Sequence, residues 1–458
     1  MKINHIYKFS ISTRWLNKYL TIGVSGLLFA IFVENICCVA IFAIISLLIL
    51  LKVHWFNLII KIMKQKNWIG IGAFLGLSAL AITACENGNI AGGNKLKTPK
   101  LPSKAYDYEV VETALMGSLN VKNLLFGKVV NTGFFPNHQG EVDPDMRDAA
   151  TSFSNAGAQL GRVLFYDKRM SLNNTVSCGS CHHQALAFSD RMMVSTGFGG
   201  KTTKRNSMSM NNPVTFNNLF WDSRAKSTMD LSLRPVFDHI EMGMESDEML
   251  EKKLALESYY GPLFKEAFGT EEVTRKRIAM AITHFLSSMI SMNSKHDNVM
   301  AAKAEFTFME KMGRDIFFSN RANCSKCHAG DNFSAPDDPG GSYGAPTVAG
   351  TANVGLDRNY TDNGKGNGKF RIPSLRNVEL TGPYMHDGRF ATLEAVVDHY
   401  SKGIQAHPHL DANLKDKNGQ PMRMNFSAEE KDALVAFLRT LTDYTFVTDQ
   451  KYSDPFAN

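Results

Sequence analysis

The fold of this chain is decided by the stretch NTVSCGSCH at residues 174–182. It ends in a Cys-x-x-Cys-His pentad, in which two thiols can add to the vinyl groups of a haem while the histidine ligates the iron from one face. A second pentad, CSKCH at residues 324–328, begins 146 residues after the first. Two pentads predict two covalently bound c-type haems. The attachment and ligating residues are Cys178, Cys181 and His182 in the first pentad and Cys324, Cys327 and His328 in the second.

Length and composition set the frame for this prediction. The chain has 458 residues, enough for two or three domains with their own cores. The formal net charge of +6 arises partly from the N-terminal segment, so it does not indicate a nucleic-acid partner. Seven cysteines are present, and no pair is left in the soluble part for a structural disulfide. The predicted covalent cross-links of the chain are therefore the thioether bonds to haem and not disulfides.

The N-terminal region, residues 1–85, is hydrophobic and predicts export. Residues 21–52 are long enough to cross a bilayer once. Residues 63–85 combine a basic start, an apolar middle and a small-residue ending, and they resemble a bacterial lipoprotein signal peptide in which Cys85 is lipidated. Met63 is then the expected start of translation. A second membrane helix with an incidental cysteine is the alternative.

The segment after this signal is rich in Gly, Asn, Lys and Pro over residues 86–105, which predicts a flexible tether. Together these features place the protein on the periplasmic side of a bacterial membrane, held by a lipid anchor.

The body of the chain has helical rather than strand periodicity, which predicts a mainly α fold. Helices are predicted over residues 149–165, 273–292, 306–318 and 427–441. Ser427 and Glu430 have the spacing of a capping box at the start of the last one.

The helix before each pentad carries a similar sequence. The letters LGRVLF at residues 160–165 are echoed by MGRDIFF at residues 312–318. The repeat predicts two cytochrome c-like haem domains, at residues 106–298 and 299–458.

Several stretches resemble the bacterial di-haem cytochrome c peroxidase family, which includes a MauG-like branch. They are LGRVLFYD at residues 160–167, FWDSR at 220–224, IEM at 240–242 and IPSLRNVELTGPYMHDG at 372–388. The resemblance covers roughly residues 145–445. It implies two cytochrome c-like domains, of which the N-terminal one holds the haem that reacts with peroxide and the C-terminal one holds the haem that transfers electrons.

The resemblance also concerns the sixth ligand of the first iron. In many members a histidine blocks the resting peroxide haem, and the matching position here is Phe198. We therefore expect a first haem that is five-coordinate or water-bound without activation. The alternative is that His183 or His239 supplies the missing ligand.

At the second iron the peroxidases use methionine, and the matching position here is Tyr400, as in MauG. An oxygen ligand favours ferric and higher-valent iron. Met385 and His399 are the competing candidates. It is also open that Tyr400 is an ordinary aromatic residue on an amphipathic helix.

The family assigns roles to further pocket residues. Glu241 matches the distal glutamate that moves a proton during peroxide cleavage, Pro235 matches a wall of the pocket, and Trp221 matches the tryptophan between the two haems. The distal glutamine of the family falls on Leu231, which removes a polar partner of bound peroxide.

Charged and oxygen-bearing residues complete the expected sites. Arg224 and Arg376 are candidates to pair haem propionates, with solvent exposure as the alternative. The inter-domain calcium site of the family matches Asn206, Thr381 and Pro383, through an amide oxygen and backbone carbonyls.

The resemblance implies a di-haem peroxidase that reduces hydrogen peroxide with electrons from a small redox protein such as a c-type cytochrome. One alternative is a MauG-like oxidase that modifies a protein or small organic substrate via a bis-high-valent state. Another is an electron carrier or haem sensor without turnover. Family members often form homodimers, and the oligomeric state stays open.

Overall fold

The computed structural model describes residues 96–115, 117–122, 152–216, 218–334 and 350–457. The predicted membrane segment, the signal peptide with Cys85 and the first half of the predicted tether lie outside these residues. No helix in the described part of the chain is long and apolar enough to cross a membrane. Residues 97–458 form one compact unit. Residues 97–105, which the sequence analysis assigned to the tether, belong to this unit, and the Lys100 N–H donates to the Pro455 carbonyl at 2.7 Å.

Helix dominates the described residues, which confirms the prediction of a mainly α fold. The helices are α1 (Asn155–Tyr166), α2 (Thr228–Ser232), α3 (Arg234–Phe237), α4 (Asp247–Ala255), α5 (Tyr260–Phe268), α6 (Arg275–Ser287), α7 (Lys295–Met300), α8 (Phe308–Phe317), α9 (Leu393–Asp398), α10 (Ala428–Arg439) and α11 (Tyr444–Thr448). Two small antiparallel sheets pair β1 (Val110–Thr113) with β2 (Gly117–Asn120) and β3 (Thr351–Ala352) with β4 (Phe370–Arg371).

The first hydrophobic core is built around the packing of α1 against α6. A Cβ atom placed on Gly161 of α1 would lie 1.9 Å from the Ala281 carbonyl oxygen of α6 and 2.8 Å from the Cβ of Phe285. Only a glycine therefore allows the two helices to approach this closely. Phe165, one turn further along α1, then meets Phe285 with ring centroids 5.4 Å apart.

The second core repeats this arrangement with α8 and α10. A Cβ atom on Gly313 would lie 1.8 Å from the Ala433 carbonyl oxygen and 2.9 Å from the Cβ of Phe437. Phe317 meets Phe437 at 5.3 Å between ring centroids. The sequence similarity between the two helices that precede the pentads thus corresponds to a repeated pair of packed helices.

The ends of two helices show how local sequence sets their bounds. The predicted capping box is confirmed at α10: the Glu430 N–H donates to Ser427 Oγ at 3.1 Å, and the Ser427 N–H donates to Glu430 Oε2 at 2.8 Å. Helix α6 ends at Ser287, short of the predicted residue 292. There the Ser288 hydroxyl donates to the Phe285 carbonyl at 2.7 Å and so occupies a helical acceptor.

The C-terminal residues of the chain return to the first core. Phe446 and Tyr452 are buried in it. The Tyr166 hydroxyl of α1 donates to the Tyr452 carbonyl at 2.7 Å, and Arg162 Nε donates to the Ser453 carbonyl at 2.6 Å. The chain therefore closes on the helix that precedes the first pentad.

The glycine contact in α1 gives a stability prediction. We expect Gly161→Ala to lower the free energy of unfolding by about 1–3 kcal/mol or more, because the added methyl group overpacks the α1–α6 contact. Gly261 in α5 is the matched control, since a Cβ there meets its nearest atom, Glu271 Oε2, at 3.5 Å. Gly261→Ala should be neutral or stabilise by up to about 1 kcal/mol. Chemical denaturation measures both, and equal effects would contradict the packing argument.

Candidate haem sites

Each pentad forms a short turn that brings its two cysteines and its histidine to one cavity. The turns are Cys178–Ser180 and Cys324–Lys326, and each pentad histidine donates its backbone N–H to the carbonyl of the first cysteine at 2.9 Å. The four pentad cysteines are free of disulfides. The first cavity is lined by Cys178, Cys181 and His182, and the second cavity is lined by Cys324, Cys327 and His328.

The orientation of the two imidazoles is fixed by backbone carbonyls. His182 Nδ1 lies 2.7 Å from the Phe188 oxygen, and His328 Nδ1 lies 3.1 Å from the Phe333 oxygen. A carbonyl can only accept, so Nδ1 carries the proton and Nε2 keeps its lone pair. Burial lowers the pKa of both imidazoles, that of His328 to about 4. Both imidazoles are therefore neutral, and each has a lone pair on Nε2 that can ligate iron. Together with the adjacent thiols, they fit a c-type haem.

The sequence analysis did not predict that the carbonyls of two phenylalanines accept these hydrogen bonds. Phe188 and Phe333 have φ angles of 60° and 47°, in the left-handed region. A serine follows each of them, and its hydroxyl donates to a distant backbone carbonyl at 2.8 Å. The signal in the sequence was the repeated Phe-Ser pair, six and five residues after the pentad histidines.

The first cavity gathers the predicted distal residues. Besides the pentad, its lining includes Glu241, Leu231, Pro235, Trp221 and Arg224. Burial raises the pKa of the Glu241 carboxyl, the nearby Asp238 charge raises it further, and the charge of Arg224 opposes both.

The predicted blocking position lies beside this cavity and is tied to its distal residues. The Phe198 N–H donates to the carbonyls of Ile240 and Glu241 at 2.8 and 2.9 Å. The Phe198 ring packs over Gly243, where a Cβ atom would lie 2.7 Å from the ring. Phe198 does not belong to the cavity lining, and its side chain has no atom that ligates iron. Of the two alternative histidines, exposed His239 reaches the lining and exposed His183 does not.

The second cavity contains Tyr400. This residue lies in a π-helical turn, His399–Gly403, that continues α9, and such turns are frequent at functional sites. Met385 also lines the second cavity. His399 does not line it, and its Nε2 lies 3.0 Å from the Val354 oxygen. Burial raises the pKa of the Tyr400 hydroxyl, so the phenol keeps its proton unless a positive charge lies nearby.

A dividing wall separates the two cavities. We define it as the residues that line both, and they are Asn206, Ser207, Met208, Ser209, Asn211, Phe216, Trp221 and Arg371. Trp221 is fixed at both ends: its Nε1–H donates to the Asn206 carbonyl at 2.9 Å, and its own carbonyl accepts from the Arg371 N–H at 2.7 Å. The indole is thus shared by the two sites.

The arginines differ from one another in their surroundings. Arg224 lines the first cavity, pairs with Asp222 at 2.9 Å and lies 3.6 Å from the centroid of the Phe220 ring. Arg376 lines neither cavity in the described part of the chain, because Asp297 engages both of its terminal nitrogens at 2.8 Å. Arg371, which the sequence analysis did not select, lines both cavities.

The three predicted calcium ligands lie around the second cavity. Thr381 and Pro383 line it, and Asn206 belongs to the dividing wall. The Asn206 amide nitrogen donates to the carbonyls of Met192 and Met193 at 3.0 and 3.3 Å. Among the described residues there is no cluster of three or more His, Cys, Asp or Glu side chains that could hold a metal ion. Calcium binding through amide and carbonyl oxygens stays a prediction.

Comparison with known proteins agrees with this geometry. The family model described as di-haem cytochrome c peroxidase matches residues 155–305. The methylamine utilization protein MauG of Methylorubrum extorquens is 31% identical over 62% of this chain and 77% of its own length. Cytochrome c551 peroxidase of Nitrosomonas europaea is 32% identical over 62% of this chain and 79% of its own length. The crystal structure of a MauG-like protein associated with microbial copper homeostasis is 33% identical, with a TM-score of 0.59 over 67% of this chain and 94% of that one.

The fold and the two cavities define a mainly helical protein with a repeated site for covalent haem attachment. The chain belongs to the di-haem cytochrome c peroxidase family, whose members are oxidoreductases. Membership implies two c-type haems. The relatives include both peroxidases and MauG proteins at about 30% identity, so the family alone does not choose between these activities.

The buried ion pair at Arg376 gives a second stability prediction. Asp297→Ala should lower the free energy of unfolding by about 3–5 kcal/mol, because it leaves a buried guanidinium without its carboxylate. The exposed pair Lys265–Glu271 is the control, and Glu271→Ala should cost no more than about 1 kcal/mol. Denaturant titration of both variants measures the difference. A cost for Asp297→Ala as small as that of the control would show that the pair does not organise this region.

Proposed function

We propose that this protein is a di-haem c-type peroxidase that reduces hydrogen peroxide in the first cavity with electrons that arrive through the second. The observation that carries the proposal is the asymmetry of two otherwise repeated sites. A carboxylic acid, Glu241, lines the first cavity, whereas the described lining of the second cavity contains the phenol of Tyr400 and no carboxylic acid.

A haem bound in each cavity supplies an iron that exchanges electrons and, where one face is open, binds peroxide. The chain supplies the geometry. His182 and His328 are held with Nε2 toward their cavities. The loop around Phe198 contributes no histidine to the first cavity, and His239 is the described histidine that lines it besides His182. Leu231 leaves an apolar patch where the family has an amide.

Glu241 is the proton carrier in this proposal. Peroxide reduction requires a proton to leave one oxygen and reach the other, and a carboxylate within hydrogen-bond reach can do both. Burial raises the pKa of Glu241, which brings its acid and base forms closer in free energy at neutral pH. Leu231, which lines the same cavity, stands where the family has an amide, so in this proposal Glu241 carries more of the proton transfer alone.

Trp221 is the proposed path between the two cavities. The indole Nε1–H and the backbone carbonyl of Trp221 each make a hydrogen bond, and together these bonds position the ring in the dividing wall. A fixed aromatic ring between two redox sites can relay electrons or holes. Its packing role in the wall is compatible with this one.

The proposed setting follows from the sequence. A lipid anchor at Cys85 would hold the enzyme on the periplasmic face of the membrane, where a small c-type cytochrome can serve as electron donor. Arg224 as a propionate partner, calcium at Asn206, Thr381 and Pro383, and a homodimer belong to the same proposal. Arg376 is left out of it, because Asp297 engages both of its terminal nitrogens.

The direct test uses the purified protein with both haems attached. Hydrogen peroxide and reduced cytochrome c are added, and oxidation of the cytochrome is followed. Turnover supports the peroxidase. A long-lived high-valent haem spectrum after peroxide is added, without oxidation of the cytochrome, supports the MauG-like alternative. If peroxide changes neither the cytochrome nor the spectrum of the protein's own haems, an electron carrier is supported.

We expect Glu241→Gln to lower peroxide turnover by about 10²–10⁴-fold, because the amide cannot carry the proton. The acid limb of the rate profile should lie above the ordinary pKa range of a glutamate in the parent, since the carboxylate is lost as the pH falls through a raised pKa. That limb should disappear in the variant. Exposed Glu245 is the control, and Glu245→Gln should keep full activity. An unchanged rate in Glu241→Gln excludes this role.

A MauG-like oxidase is the second candidate, and Tyr400 is the observation that favours it. The Tyr400 hydroxyl makes no hydrogen bond with the described residues and lines the second cavity with His328. An oxygen ligand at this position would stabilise the higher oxidation states on which such an oxidase depends.

Tyr400→Phe should change the electron paramagnetic resonance signal of the second site and leave that of the first unaltered, because the ring stays and only the oxygen is removed. Tyr384→Phe is the matched control. Tyr384 lines the same cavity, but its hydroxyl is already bound to the Val378 carbonyl at 3.0 Å. Identical spectra for the parent and Tyr400→Phe would rule out tyrosine ligation.

A further inference from the structure

The residues around the two pentad histidines, His182 and His328, are arranged in the same way in the two cavities. Ser189, after the first pentad, donates its hydroxyl proton to the Ser207 carbonyl at 2.8 Å. Ser334, after the second, donates to the Ile372 carbonyl at the same distance. The carbonyl of the following residue, Met208 or Pro373, also interacts with the pentad imidazole in each case. Ser207 and Ile372 therefore occupy corresponding positions.

The side chains at these positions differ in a way that reaches the imidazole. Ser207 Oγ lies 3.3 Å from His182 Nδ1 and 2.9 Å from the Cys181 carbonyl oxygen. The carbonyl can only accept, so the hydroxyl proton points to Cys181, and the hydroxyl oxygen is left to accept from the imidazole N–H. His182 thus has a side-chain acceptor in addition to the Phe188 carbonyl.

The second site lacks this acceptor. Ile372 is 4% exposed and apolar. Within the described residues, the Nδ1–H of His328 meets backbone carbonyls alone. Hydrogen bonds accepted from the outer nitrogen of a ligating histidine increase the basicity of the nitrogen that binds the metal, and a more basic ligand stabilises the oxidised metal.

We propose that Ser207 is a positioning residue that makes His182 a stronger iron ligand than the repeated scaffold alone would, and so lowers the reduction potential of the first haem. In this proposal Ser207 acts through His182, whose Nδ1 lies 3.3 Å from the Ser207 hydroxyl. The inference rests on the haem attachment in the proposed function and not on the peroxide reaction.

The test is a potentiometric titration of the purified protein with both haems, in which separate spectroscopic signatures follow the two sites. Ser207→Ala should raise the reduction potential of the His182 site and leave that of the His328 site unchanged. Ser207→Thr, which keeps the hydroxyl, should restore the parent value. A potential at the His182 site that Ser207→Ala does not move, or an equal shift at both sites, overturns the inference.

The reciprocal exchange tests the same idea at the second site. Ile372→Thr introduces a hydroxyl at the corresponding position and should lower the potential of the His328 site. Ile372→Val, which has nearly the same shape without the oxygen, should not. Equal potentials for these two variants contradict the inference, and this arm decides the matter if Ser207→Ala fails to bind haem.

These outcomes are separable from the peroxidase test. An unmoved potential in a protein that turns over peroxide removes the role of Ser207 alone. A shifted potential in a protein without turnover removes the peroxidase proposal alone.

Discussion

The hydrogen bond from each pentad imidazole to a phenylalanine carbonyl is the contact on which both sites depend. It sets the tautomer, so that the nitrogen facing the cavity is the one with the lone pair. The carbonyl points inward because its residue has a left-handed backbone. In a residue as bulky as phenylalanine such a conformation costs free energy, and the surrounding packing must hold it.

That packing depends on two glycines, Gly161 and Gly313, which allow close contacts between helices. Gly161 lets α1 approach α6, which brings Phe165 into contact with both Phe285 and Phe188 at 5.4 and 6.0 Å between ring centroids. The second core has the same sequence of contacts, from Gly313 through Phe317 to Phe333 at 6.1 Å. A close helix contact is thus transmitted through aromatic rings to a backbone carbonyl and from there to a metal ligand. The glycine, the two rings and the imidazole work as one unit in each core.

The sequence predicted the parts of this unit that are local and missed those that depend on distant partners. The pentads and the Ser427 capping box are defined by residues three or four apart, and no distant partner is needed to form them. Arg376 was a candidate partner of a haem propionate, and its buried pair with Asp297 was not predicted, because Asp297 lies 79 residues away and nothing in the local sequence marks the pair. The backbone role of Phe188 was missed for a related reason, since a left-handed phenylalanine is a product of tertiary packing and not of its own preference.

The residues that distinguish the two cavities come from segments outside the repeated unit. Leu231 lies in α2 and Glu241 follows α3, while Tyr400 lies in the π-helical turn after α9. The imidazole hydrogen bonds to Phe188 and Phe333 involve none of these three side chains, so the side chains can differ while each imidazole keeps its tautomer. Ser207 is the exception, because it stands at a position that the repeat shares with Ile372 and touches the imidazole itself. We therefore expect a change there to alter the strength of the ligand and not its geometry, since the Phe188 carbonyl still fixes the ring. The scaffold therefore separates where the haem is held from how each site reacts, and the dividing wall, through Trp221, keeps the two sites within reach of each other.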